Sequence, residues 1–401
     1  MAWSEPPSAP SGRKRRSVSS PNGDVPPPGA TTDGTRPETG RAERVRRTTP
    51  STVLVTGGAG FIGSHACVAL LDHGYELIVV DDYSNSTPQV LSRVERLAGR
   101  FVGAVYELDI RDRHSLSAAF DRHSVDAVLH FAAHKAVGRS TRMPVQYYDS
   151  IVGGTTTLLR AMHEHGVHQL VYASSCSVYG DAGGGPLTET TPARPTNPYS
   201  AAKWICEQLL ADVCRRCPEY TVLCLRSGNS AGAHSSGLLG EDPRGTPDNL
   251  MPHMAQVAVG RRSRLPVFGG DYPTRDGTAV RDYLHVMDTV EAHRVALDHL
   301  ADAPGMHVYN LGAGKGSSVL DVVAAFSRAS GRPVPYEVVP RRPGDVAEVV
   351  ADATAVERAW GWRPKRDLAD MCRDSWHFQR LNPRGYAGSA RRPEREEWYD
   401  P

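Results

Sequence analysis

"STVLVTGGAGFIGSHACVALLDHGYELIVVDD", residues 51–82, decides the fold. A β-branched run from Val53 to Val55 meets glycines, a helical pattern follows, and a second apolar run spans Leu77 to Val80. This is strand, turn, helix, strand. Gly57, Gly58, Gly60 and Gly63 satisfy both G-x-x-G-x-x-G and G-x-G-x-x-G. The early glycines permit a tight turn and let the backbone approach a pyrophosphate. Gly63 lets helix pack on strand, and the helix start offers free N–H groups and a positive dipole end. Asp81 closes the second strand. A carboxylate there accepts from ribose hydroxyls and repels a 2′-phosphate. Asp82 follows and no Arg is adjacent, so NAD is favoured over NADP as the cofactor.

The alternation continues outward. "AVYELD", "DAVLHFAA", "QLVYASS" and "TVLCLR" read as strands, and "SLSAAFDRH", "TTTLLRAMHEH" and "YSAAKWICEQLLADVCRR" as helices. Strands separated by helices predict an α/β fold, a doubly wound parallel sheet with right-handed crossovers. Asp109, in "LDIRD" at the end of the third strand, is placed to meet the adenine side of the cofactor. After about residue 230 the pattern loosens into Gly/Pro-rich loops with shorter elements, which predicts a smaller C-terminal lobe. "HVYNLGAG" is read as a return to the main sheet. Residues 1–50 are polar, Pro-rich and basic, and read as a disordered leader. Residues 381–401 read as a polar tail.

The chain has 401 residues, 40% hydrophobic and 23% charged, with net charge +1, an ordinary soluble globular balance. That balance gives no basis for a nucleic-acid surface. No apolar run is long enough for a membrane span, and the N-terminus lacks a secretory h-region. The seven cysteines read as scattered reduced thiols of a cytoplasmic protein. Cys214-x-x-Cys217 has no second ligand pair, so no metal centre is expected.

Two segments carry candidate chemistry. "NPYSAAK" places Tyr199 four residues before Lys203, on one helical face. A free tyrosine has a pKa of about 10, too high for a base at neutral pH. A neighbouring ammonium and a positive nicotinamide ring both favour phenolate. Tyr199 is then suited to take a proton from a sugar hydroxyl. The other segment is "YASSCSVYG", residues 172–180, one strand and one loop upstream.

With these motifs in place, residues 52–378 resemble the UDP-glucose 4-epimerase family of the extended short-chain dehydrogenase/reductases. "TGGAGFIGSH", "HFAAHKAVG", "PVQYYDSIVGGT", "NPYSAAK", "DGTAVRDYLHVMD", "NLGAGKGSSVLDVV" and "PRRPGDVAEVVADATA" carry the likeness. The resemblance implies NAD-dependent inversion at C4 of a UDP-hexose through a 4-keto sugar, in a homodimer. It implies catalytic roles for Ser175, Tyr199 and Lys203. It implies cofactor contacts at Gly57, Gly60, Phe61, Ile62, Gly63, Asp81, Asp109, Ile110, Phe131, Ala132, Lys135, Tyr199 and Lys203. Lys135, Ser175, Tyr199, Asn229, Asn249, Leu250, Phe268, Arg281, Tyr283, Arg342 and Asp345 match substrate positions. Residues 51–230 thus correspond to an NAD-binding Rossmann domain, its sheet completed by later segments. Residues 231–380 correspond mainly to a UDP-sugar-binding lobe.

The chain departs from the family pattern at several places. Ser227-Gly228-Asn229-Ser230 stands where Tyr-Phe-Asn-Pro is usual, Ser150-Ile151 replaces paired asparagines, Arg139 replaces Glu, and Val349 replaces Tyr or Cys. These changes predict a reshaped sugar pocket, for an N-acetylated or otherwise modified sugar, with the UDP clamp intact. Arg139 also suits a UDP-uronate. Cys176 and Ser177 lie where sugar-nucleotide dehydratases carry an acid–base pair. Dehydration in specialised antibiotic or glycan biosynthesis is therefore the alternative, although Ser177 cannot replace the carboxylate base.

Overall fold

The computed structural model describes residues 51–302 and 304–386. The leader at 1–50 and the 387–401 part of the polar tail lie outside the described residues. Seven parallel strands form the main sheet, in the spatial order Gly305–Leu311, Thr221–Ser227, Gln169–Ser175, Ala127–His130, Thr52–Thr56, Glu76–Asp81 and Ala104–Glu107. The chain runs outward in one direction from Thr52–Thr56, then in the other. That makes a topological switch point between Thr52–Thr56 and Ala127–His130, where ligands of doubly wound sheets bind.

Both faces of the sheet are buried, so its strands read as apolar runs rather than alternations. Val53, Val55, Leu77, Val79 and Leu129 face one core, with the helices Phe61–Asp72 and Val286–His299. Leu54, Ile78, Val80, Val128 and Leu170 face the other, with Leu158, Leu210 and Tyr172. The Phe61–Asp72 helix is buried along nearly its whole length, from Gly63 to Leu71.

A second sheet is short and mixed. Its central strand Val280–His285 pairs with Gly316–Ser318, Glu348–Ala351 and Asn229–Ala231, and Pro186–Leu187 extends it beyond Glu348–Ala351. A parallel ribbon of Leu265–Phe268 and Tyr336–Val339 lies apart. Met254, Leu265, Phe326 and Cys372 form a core of their own here. Among the described residues no helix is long and apolar enough to cross a membrane.

Candidate active site

The Phe61–Asp72 helix starts at Gly60, which offers no side-chain cap. Its first amides therefore face the cleft without an intrahelical partner. Gly57 holds φ +69°, and a Cβ there would lie 2.8 Å from the Ala132 backbone nitrogen. Gly63 is tighter still, since a Cβ would lie 2.1 Å from the Gly57 carbonyl oxygen. The turn is thus a backbone cradle at the switch point, closed against Phe131 and Ala132. Asp81 sits beside it, accepting from the Ala59 amide at 2.9 Å, the Tyr83 amide at 2.9 Å and the Ser86 hydroxyl at 2.7 Å. Burial raises its carboxyl pKa, and those hydrogen bonds pull it back. Three accepted bonds leave a carboxylate lone-pair capacity for a ribose hydroxyl. The cradle and this acceptor fit the pyrophosphate and ribose of a dinucleotide.

These groups line one cleft of about 1760 Å³. Of the expected residues, Gly57, Gly60, Phe61, Ile62, Gly63, Asp81, Asp109, Ile110, Phe131, Ala132, Lys135, Tyr199, Lys203 and Asn249 line it. Asp109 is held by the Arg111 guanidinium at 3.0 Å. Burial works to raise its carboxyl, but the Arg111 hydrogen bonds outweigh that and hold it low.

Tyr199 and Lys203 reach the cleft from the helix Pro198–Arg216. Asn197 caps that helix by accepting from the Ser200 amide at 3.0 Å, and Pro198 fills its first position. The cap also docks on the loop that carries Arg342 and Asp345. Thr196 Oγ1 donates to the Gly344 carbonyl at 2.8 Å, and Asn197 Nδ2 donates to the same oxygen at 3.4 Å.

Burial raises the Tyr199 phenol above its ordinary value, and the neighbouring Ser175 hydroxyl opposes that. Sequence reasoning assigned the opposing role to Lys203. Lys203 instead donates to the Ala173 carbonyl at 2.8 Å and sits 4.8 Å from the centre of the Tyr172 ring. Burial draws its ammonium down to about 8, so it remains largely cationic at neutral pH.

Cys176 faces away from this chemistry. It is 1% exposed, its Sγ donates to the Arg226 carbonyl at 3.0 Å, and burial pushes its thiol pKa far up. Neither a nucleophile nor a ready proton donor is available there. Ser177 Oγ is buried with no hydrogen-bond partner.

The remaining expected residues lie beside the cleft rather than in its wall. Arg342 stacks on Phe268 at 4.6 Å and bonds Asp345 at 2.9 Å. Arg281 is half-buried, and desolvation lowers its pKa while Asp345 opposes that. Tyr283 pairs in register with Asn229. Asp248, which lines the cleft, accepts from Arg342 through its carbonyl at 3.4 Å. Leu250 opens the helix Leu250–Ala258 next to Asn249.

The departures also take their places. Ser227 lies opposite Ser175 in register, and Val349 packs with Cys176. Gly228 is demanded by close approach, because a Cβ there would lie 2.7 Å from the Asp282 carbonyl oxygen. Ser150 and Arg139 line the cleft, whereas Ile151 is 1% exposed and belongs to the core.

Three cleft residues escaped sequence reasoning. Glu241 accepts from both Lys135 and Asn249, the latter at 2.7 Å. Arg244 donates to the Ser86 carbonyl at 2.9 Å, tying the Glu241 loop to the segment after Asp81. Tyr386 bonds Gly240 through its hydroxyl at 2.8 Å. The charges of "LLGEDPRG" inside a Gly/Pro-rich loop were the available signal for the first two.

The profile of the NAD dependent epimerase/dehydratase family matches residues 53–312. The chain belongs to this family. Within it the chain sits with the UDP-glucose 4-epimerases. It is 48% identical over 334 residues to the UDP-glucose 4-epimerase of Erwinia amylovora, covering 83% of this chain and 99% of that one. The UDP-glucose 4-epimerase of Bifidobacterium longum, solved with NAD+ and UDP, superposes with a TM-score of 0.82 at 47% identity, over 83% and 99% of the two chains. That of Stenotrophomonas maltophila, solved with NAD and formylated UDP-arabinopyranose, gives 0.80 at 47% identity, over 83% and 99%. The glycine cradle of this epimerase/dehydratase family member lies wholly inside the matched segment.

Proposed function

We propose that this protein interconverts the C4 epimers of a UDP-hexose of the UDP-glucose/UDP-galactose type, with NAD as a retained cofactor. The observation that carries the reading is that Tyr199 and Lys203 line one cleft with the glycine cradle and Asp81, with Ser175 next to the phenol but outside the cleft wall. NAD, when bound, supplies a hydride acceptor that later returns the hydride. Tyr199 takes the proton from the sugar O4 and gives it back, and Ser175 bonds the same hydroxyl and relays towards Tyr199. Lys203 supplies positive charge beneath the site and a donor for the nicotinamide ribose. Arg281 and Arg342 clamp the diphosphate as permanently charged forks. Phe268 packs on uracil, Asp345 accepts from a ribose hydroxyl, and Asn229, Asn249, Leu250 and Tyr283 complete the UDP contacts. Binding energy from UDP holds the substrate while the sugar turns its other face. The reaction has no net redox change.

Residues 51–230 serve as the NAD domain and 231–380 mainly as the substrate lobe. Val145 on Pro144–Tyr148 and Ile205 on Pro198–Arg216 are 74% and 41% exposed, on helices that pack together, which supports a homodimer through this face. Seven free cysteines, six of them buried, support a cytoplasmic setting.

Incubation of the purified protein with UDP-galactose, UDP-N-acetylgalactosamine and UDP-glucuronate tests the reaction. The expected product is C4-inverted and of unchanged mass. Small side chains at Ser227, opposite Ser175, and at Val349, against Cys176, favour turnover of the N-acetylated sugar alongside the plain one. UDP-glucuronate belongs in the panel because Arg139 lines the cleft. A product 18 mass units lighter would mean dehydration, and no conversion of any sugar would sink the reading.

Cofactor retention has its own test. An alanine at Gly63 must displace backbone, because its Cβ meets the Gly57 carbonyl oxygen at 2.1 Å. Gly63→Ala is expected to weaken NAD binding by about tenfold or more, a loss that needs only ~1.4 kcal/mol. Cofactor content after gel filtration reads this directly; wild-type content in the variant would contradict the cradle.

A further inference from the structure

At the end of the sheet opposite the cleft, two histidines and a carboxylate converge. His163 lies in the last turn of the helix Gly154–Glu164, His168 just before the strand Gln169–Ser175, and Glu219 just before Thr221–Ser227. The two strands are neighbours, with Gln169 opposite Thr221. One ligand atom from each of the three side chains lies within 4.8 Å of the others. We propose that His163, His168 and Glu219 form a zinc-binding site that clasps the helix end to the amino ends of both strands.

Four observations support this. First, the donor set is of the right chemistry. Two imidazoles and one carboxylate suit zinc and leave a fourth position for water, whereas magnesium and calcium want oxygen ligands throughout. Second, the spacing is nearly closed. Tetrahedral ligands on bonds of roughly 2.1 Å stand about 3.4 Å apart, so shifts of about an ångström complete the site. His163 and Glu219 are exposed and free to make them.

Third, the ligand atoms are not committed elsewhere. Among the described residues, no hydrogen bond or ion pair engages the side chains of His163, His168 or Glu219. Fourth, His168 is already set in place. Its ring meets Tyr220 edge-on with centroids 4.9 Å apart, and its carbonyl accepts from the Thr221 amide at 2.9 Å.

The site belongs to stability rather than to chemistry. Gln169–Ser175 is a seven-residue strand, so the cluster lies roughly 20 Å from Ser175. A metal held by the folded chain alone stabilises it through mass action. It would join His163 and His168, which are close in sequence, to Glu219, which is distant and meets them only in the native sheet.

Thermal unfolding of the NAD-loaded protein, with and without zinc chloride, tests the proposal. Zinc is expected to raise the wild-type Tm by ~2–6 °C, and magnesium to leave it unchanged. His163→Ala, a substitution at an exposed helix end that spares the fold, should remove the shift, as should His168→Ala. Metal analysis after gel filtration should give one zinc per wild-type chain and none in either variant. Epimerisation rates should be equal in all three proteins. Equal zinc shifts in wild type and His163→Ala would assign the metal to the seven cysteines, which both proteins keep, and overturn the proposal. So would the absence of a shift in wild type, or an equal shift with magnesium.

Discussion

Tyr199→Phe is expected to lower kcat for UDP-hexose interconversion by about 10³-fold, within the range for loss of a positioned acid–base group. The substitution removes one oxygen from a partly buried ring and leaves the helix cap at Asn197 untouched. Cofactor content and Tm should therefore stay near wild type, and KM should move far less than kcat. Stopped rates across pH sharpen the test. The phenol sits above its ordinary value, so the wild-type rate should climb as the solution becomes alkaline and more of Tyr199 is ionised. The residual rate of Tyr199→Phe should be flat over that range. A variant that keeps near-normal turnover would remove Tyr199 from the proton transfer.

The second large effect is on stability. Arg226 and Glu207 form an ion pair whose side chains are 5% and 1% exposed, at 2.6 Å. Glu207 also accepts from Ser174 at 2.5 Å, while Arg226 donates to Tyr179 at 2.9 Å, and Tyr179 donates to Asn310 at 2.6 Å. Glu207→Ala leaves the guanidinium buried without its counter-charge. Removing one member of such a pair costs about 3–5 kcal/mol. For a domain of this size that lowers Tm by roughly 4–7 °C. Glu207→Gln keeps oxygen and nitrogen in place and should lose less. Calorimetry of the three proteins decides it; an alanine variant as stable as wild type would show that water or backbone movement relieves Arg226. Because Ser174 precedes Ser175, the alanine variant should also turn over more slowly.

Much of the fold was legible because its signals are local. The glycine turn, Asp81 and the apolar strands each declare themselves within a dozen residues, and a sheet buried on both faces leaves no alternation to misread. Tyr199 and Lys203 were legible for the same reason, lying one helical turn apart. The causes of Tyr199's pKa were not, because which group meets the phenol depends on the side chains' orientation, and Lys203 turns to the Ala173 carbonyl. Glu241 and Arg244 depend on a loop crossing to Lys135 and Ser86, a contact that spacing does not encode. The His163–His168–Glu219 cluster was invisible for a similar reason, since Glu219 joins the histidines only through the pairing of two strands.

The hydrogen bonds from Thr196 and Asn197 to the Gly344 carbonyl join the start of the Tyr199 helix to the loop of Arg342 and Asp345. If Arg342 and Asp345 form the nucleotide clamp proposed above and Tyr199 takes the proton, the two are parts of one lever. A free hexose, lacking the handle, would then suffer in turnover at saturation and not merely in affinity. Added UDP would not rescue it, because the two halves must be pulled by the same molecule.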